Sequence, residues 1–168
     1  NDKDVVVDDF FLEVYAKSQR IFKESKGVFD PTVGILVNAW GFGPGEAVQN
    51  LDSAKVQKLM QYVGFDKVTI SKRKVKKRHP KMYFDFNAIA KGYGVDIIAR
   101  YLESKNVDNY LIEIGGELRA RGKNEQGNYW KIGIEKPNFD GTRGIQKVLS
   151  LENKSMATSG NYRKYKVD

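Results

Sequence analysis

Asp85-Phe86-Asn87-Ala88-Ile89-Ala90-Lys91-Gly92-Tyr93-Gly94-Val95-Asp96 is the stretch whose reading decides the fold. The residues leading into it, Met82–Phe86, read as a strand. Ile89, Val95, Ile98, Ala99 and Leu102 then recur at helical spacing, so Asn87–Ser104 reads as a helix. Gly92 and Gly94 each cost such a helix about 1 kcal/mol relative to alanine. A cost of that kind has a reason, either tight packing or a ligand that needs room. Asp85, at the strand–helix junction, can accept free helix N–H groups or bind a ligand's donors. Lys91 follows almost two turns later, near the same face. Together they have the chemistry to read a nucleotide, the carboxylate taking ring or ribose donors and the ammonium meeting phosphate. A capping aspartate and an exposed lysine explain the same letters, and on local evidence that plainer reading is the stronger.

On the N-terminal side, Phe10, Phe11, Val14, Tyr15, Ser18, Ile21 and Phe22 mark a helix from about Asp8 to Lys26, with Asp8 or Asp9 as cap and Gly27 as stop. Gly27 to Gly45 is apolar, glycine-punctuated and poorly periodic, as suits backbone that must approach something closely. A second helix is expected over Ser53–Val63, with Ala54, Val56, Leu59, Met60 and Val63 inward. Strands follow at Lys67–Ser71 and near Val75. On the C-terminal side, strands read at Tyr110–Ile114, Glu117–Arg121, Tyr129–Glu135 and Ile145–Leu151. The pattern is α+β, a largely antiparallel sheet with helices packed on it, in one domain over residues 1–168 with no internal boundary.

Composition narrows the chemistry. The 168 residues hold no cysteine, so disulfides, thiolate nucleophiles and cysteine metal sites are excluded, and with one histidine, His79, in a basic run, no histidine triad or histidine-rich metal site is expected. Carboxylates, lysines, hydroxyls and backbone groups must carry any reaction. Lys and Arg outnumber Asp and Glu by 29 to 21, a net +8, which favours phosphate-rich or acidic partners. Much of the excess sits in Lys72–Arg78, read as a solvated hairpin with Val75 facing in. It lacks the interleaved aromatics of a strand-stacking nucleic-acid surface, so no nucleic-acid partner is expected. No apolar run approaches the roughly 20 residues of a membrane span.

Three further segments are candidates, each with an ordinary turn as its competitor. Gly115-Gly116-Glu117 follows an apolar strand, where backbone N–H groups can face an anion. Gly41-Phe42-Gly43-Pro44-Gly45 only loosely matches a dinucleotide fingerprint, because its spacing is wrong and Pro44 lacks a donor. Ala157-Thr158-Ser159-Gly160-Asn161-Tyr162-Arg163 gathers hydroxyls and an arginine.

In order, these segments resemble the ApbE family of FAD:protein FMN transferases. The likeness is carried by Gly27-Val28-Phe29-Asp30-Pro31-Thr32-Val33-Gly34 running on to Asn38–Gly43, by Asp85 with Ile89–Tyr93 and Asp96, by Ile114–Glu117, and by Ala157–Arg163. The resemblance implies an enzyme that splits FAD, joins FMN to a Thr or Ser of an acceptor protein and releases AMP, assisted by Mg²⁺. FAD hydrolysis to FMN and AMP, or FAD binding without turnover, are the alternatives. It implies that Val28, Phe29, Asp30, Asp85 and Lys91 contact FAD, joined with less support by Gly115, Gly116, Thr158, Ser159 and Arg163. Ala88 would offer its backbone carbonyl to Mg²⁺, as a hard cation allows. The family's catalytic histidine and further metal ligands are expected beyond Asp168, and its first strand before Asn1, so the chain reads as truncated at both ends. Family members are exported and held by an N-terminal lipid anchor, which implies a periplasmic or outer-face location.

Overall fold

A computed structural model describes residues 5–138 and 142–160. They fall into two compact units, one ending at Ile89 and one starting at Ala90.

In the first unit, α1 (Asp9–Glu24) starts where Asp8 accepts the Phe11 N–H at 2.8 Å, which is the expected cap. Its inward stripe meets the three-stranded antiparallel sheet β1 (Val5–Val6), β3 (Lys74–Lys77) and β2 (Val68–Ser71), in that order. Tyr15, Phe65, Val68 and Met82 form the core, with Phe11, Phe22, Ile70, Val75 and Phe84 packed against it. Phe10, counted in the apolar stripe, instead faces outward and is 56% exposed.

The basic hairpin folds as read, with Val75 inward. Lys72 and Arg73 form its turn at φ 50° and 63°, a conformation that favours glycine. An ion pair from Arg73 to Asp9 at 2.7 Å and a bond from its Nε to the Val7 carbonyl at 3.2 Å help hold it there. Lys77 donates to the carbonyls of Pro80 and Met82. Two of the run's cations thus serve the fold itself.

Three expectations need correction. The second helix is shorter, α3 (Ser53–Met60), and no residue in it is buried; Val63, beyond its end, is buried instead. The irregular segment contains a short helix, α2 (Gly34–Ala39). Met82–Phe86 is not a strand but makes a single parallel bridge, Tyr83 to Val33. Its backbone pairs with a loop: Gly34 N–H donates to Tyr83 at 3.1 Å and Asp85 N–H to Pro31 at 2.7 Å.

That loop is held by buried polar groups. Asp30 Oδ1 accepts the Thr32 N–H at 2.8 Å and its hydroxyl at 2.6 Å, while Oδ2 accepts the Phe65 N–H at 3.2 Å. Thr32, 1% exposed, accepts the Gly64 N–H at 2.7 Å.

The helix α4 (Asn87–Ser104) runs on into the second unit. There Val95 and Ala99 pack on Tyr110 and Ile112 of β4 (Tyr110–Ile114). A second antiparallel sheet runs β4, β5 (Glu117–Arg121), β8 (Ser155–Met156), and β6 (Trp130–Glu135) pairs with β7 (Ile145–Leu151). Along β5, Leu118 and Ala120 are buried on one face, while Arg119 and Arg121 sit on the other beside Ile112 and Tyr110. Arg119 reaches Asp96 at 2.9 Å and Glu103 at 3.0 Å of α4; Arg121 reaches Glu103 at 3.1 Å and Asp108 at 2.9 Å.

Two variants test this architecture. Thr32→Val keeps the shape but leaves the Gly64 N–H without an acceptor, and is expected to lose about 1–3 kcal/mol in urea unfolding. The Glu103 carboxyl is held below the usual carboxylate range, chiefly by the Tyr110 hydroxyl and then by Arg121 and Arg119, against the opposing effect of burial. A carboxyl lowered on folding stabilises above its unfolded pKa and loses that contribution as pH falls through the folded value. Tyr110→Phe is therefore expected to move the acid-unfolding midpoint to higher pH, followed by circular dichroism.

Candidate functional site

In the first unit, the segment around Val28 and the start of α4 present the candidate residues. Val28 is 91% exposed, and Phe29 is half-buried with its N–H on Ser25 Oγ at 3.1 Å. Asp30 turns its carboxylate to Thr32 and Phe65, so its oxygens already serve three donors. Asp85 is half-buried; one oxygen accepts the Asn87 N–H at 2.7 Å and the other its side-chain amide at 3.3 Å. Asp85 thus holds the start of α4, the capping use that its position suggested. Gly34 is dictated by close approach, because a Cβ there would sit 2.5 Å from the Tyr83 ring.

The glycines of Gly41–Gly45 have a local explanation. Asn38 projects among them, its Oδ1 accepting the Gly45 N–H at 3.2 Å, and a Cβ on Gly43 or Gly45 would collide with the Asn38 side chain. The near-fingerprint is a loop wrapped around an asparagine.

In the second unit, a cleft of about 1130 Å³ is lined by Lys91, Glu113, Gly115, Gly116, Thr158 and Ser159, among others. Gly115 and Gly116 close the β4–β5 hairpin at φ 55° and 96°, the left-handed pair that a two-residue turn demands. The Gly115 carbonyl accepts from Lys91 Nζ at 3.0 Å and the Gly116 carbonyl from Thr158 Oγ1 at 3.2 Å. The turn therefore anchors a cation and a hydroxyl through its carbonyls, where the sequence suggested N–H groups facing an anion. Lys91 also meets Glu117 Oε2 at 2.6 Å. Glu117 was quoted with the glycine pair yet not singled out; only its contact with Lys91 reveals it. Arg163 lies outside the described residues.

The two helical glycines differ. A Cβ on Gly94 would touch Ile114 at 3.3 Å, whereas one on Gly92 would meet nothing within 4 Å among the described residues. Packing explains Gly94. Gly92 borders open space.

Ala88 is exposed in the first turn of α4. A helical carbonyl keeps one lone pair beyond its backbone bond, which can meet a hard cation. Among the described residues no group of three or more His, Cys, Asp or Glu side chains converges on a point. These residues alone do not make up a magnesium centre.

A family model described as the ApbE family matches residues 1–168. This chain belongs to the ApbE family. It is 44% identical over 160 residues to a protein of Haemophilus influenzae named FAD:protein FMN transferase, covering 92% of this chain and 46% of that one. The FAD:protein FMN transferase of Escherichia coli K12 is 32% identical over 164 residues, covering 95% and 46%. Among solved structures, the flavin transferase ApbE from Vibrio cholerae matches with TM-score 0.83 and 37% identity, covering 100% of this chain and 54% of that one. An ApbE protein from Thermotoga maritima matches with TM-score 0.82 at 27% identity. The mixed helix and antiparallel-sheet fold is thus that of the ApbE family, and the chain spans about half the length of the curated relatives it matches.

The glycine geometry makes a paired prediction. Gly116→Ala forces a side chain to a positive φ and within 2.7 Å of Thr158 Oγ1, and is expected to cost about 1–3 kcal/mol. Gly92→Ala is expected to stabilise by about 1 kcal/mol, because alanine is the better helix former and its methyl meets no obstacle. Thermal unfolding of the two variants side by side reads both.

Proposed function

We propose that this chain serves a flavin transferase that moves FMN from FAD to a Thr or Ser of an acceptor protein and releases AMP, with Mg²⁺ as the accompanying cation. The observation that carries the reading is Lys91. Its ammonium is fixed at the edge of a cleft by the carbonyl of a glycine turn, on a chain 44% identical to a protein named FAD:protein FMN transferase.

In such a transfer the acceptor hydroxyl oxygen bonds to the FMN phosphorus, the bond from that phosphorus to the bridging oxygen breaks, and AMP leaves with the oxygen. The hydroxyl proton passes to a base. Negative charge gathers on phosphoryl oxygens, so a protein helps mainly by positioning and by cations. Lys91 fits that task, meeting the pyrophosphate with its charge. Thr158 and Ser159, at the same cleft, offer hydroxyl donors to phosphate oxygens.

In the first unit Val28 and Phe29 supply apolar surface for the flavin ring system, and Asp85 accepts a nucleotide N–H or O–H. Asp30 shapes that loop through its own hydrogen bonds. Ala88 would lend a carbonyl oxygen to the magnesium ion. None of these residues is assigned the role of base. The reading carries with it an exported protein acting at the outer face of the cytoplasmic membrane; among the described residues no helix is long and apolar enough to cross one.

The test is to incubate the protein with FAD, Mg²⁺ and an acceptor bearing a threonine site, and to read covalent flavin by in-gel fluorescence. Labelled acceptor is expected, and Lys91→Ala is expected to slow labelling about a hundredfold, the scale of losing one charge-stabilising donor. No covalent flavin, or free FMN with AMP in its place, would count against transfer.

A further inference from the structure

We propose that Glu117 is the positioning residue for Lys91, setting its ammonium for the phosphates of FAD; this rests on the flavin-transferase reading. Lys91 Nζ lies 2.6 Å from Glu117 Oε2 and 3.0 Å from the Gly115 carbonyl. That carboxylate oxygen is buried, and among the described residues the Lys91 ammonium is the group that meets it. A carboxylate oxygen so placed weakens a fold unless a cation meets it. Fold stability therefore does not account for a glutamate at the first position of β5, where a hairpin end accepts many polar residues. Its purpose is the lysine.

Lysine is a strongly hydrated point charge on a flexible stem. An ammonium left to wander must be ordered by its ligand at the moment of binding, and part of its attraction is lost in doing so. Gly115 and Glu117 order it beforehand. An ammonium has three donors; with two directions taken, the third is left for the cleft that Lys91 lines. Glu117 also repels an incoming phosphate, which opposes this gain. Ordering prevails because the Glu117 charge is already balanced by Lys91, while nothing else among the described residues fixes the far end of that side chain except one carbonyl.

The experiment is fluorescence titration of the protein with FAD and, in parallel, with riboflavin, which has the ring system and no phosphate. Glu117→Gln is expected to weaken FAD binding roughly tenfold, or about 1.4 kcal/mol, and to leave riboflavin binding unchanged. In a Lys91→Ala background the same substitution is expected to add nothing. Glu117→Asp, which withdraws the charge by one methylene, is expected to give a smaller loss of the same kind, and serves as the reading if Glu117→Gln does not fold. Equal losses of FAD and riboflavin would mark Glu117 as merely structural and overturn the proposal. Unchanged or tighter FAD binding in Glu117→Gln, with Lys91→Ala still weakened, would overturn it while leaving the flavin-transferase reading intact. If Lys91→Ala itself binds FAD normally, the reading of the cleft fails and this proposal with it.

Discussion

Asp30 gathers three donors on one carboxylate, and much of the structure follows from that. By accepting from Thr32 twice and from Phe65 once, it bends residues 30–34 into a fixed shape. The shaped loop then offers the Pro31 carbonyl to Asp85 and takes the Tyr83 carbonyl on Gly34. Asp85, so tethered, receives the first N–H of α4 and sets where that helix begins.

The second unit solves a different problem, that of placing charge where water is scarce. Arg119 and Arg121 share Glu103 and each takes a second carboxylate, so both guanidinium charges are matched at the cost of one carboxylate charge in excess. Burial and the Glu103 acceptor push the Tyr110 phenol up, which keeps it a donor throughout the neutral range. Lys91 of α4 and Glu117 form a smaller pair where the same hairpin turns. One ion cluster closes the packing between helix and sheet; the other borders a cleft.

How much of this was legible in the sequence depended on the range of the interaction. Asp8 caps α1, Val75 points inward from a hairpin, and α4 runs from Asn87 to Ser104, all as read, because capping, alternation and helical spacing act over a few residues. The fold class and family were legible too, the latter from the order of several short blocks. Met82–Phe86 misled because an extended segment reads the same whether its partner is a strand or a loop; Val33 and Pro31 decide that from outside. The glycines around Asn38 gave a loose match to a dinucleotide fingerprint because close approach to a side chain and to a ligand demand the same residue. Glu117 stayed hidden because its meaning lies wholly in Lys91, twenty-six positions earlier.

The alternation along β5 has a consequence for how this gene can change. Leu118 and Ala120 face one way, Glu117, Arg119 and Arg121 the other, and the strand carries two unrelated chemistries on a two-residue period. Exchanging one letter disturbs one face. Removing or adding one would turn the strand over, driving guanidinium groups into the packed side and leucine against the carboxylates of α4. Point replacement is open to evolution here, but any change in length must come in the turns at either end, and the Gly115–Gly116 turn has no slack to give.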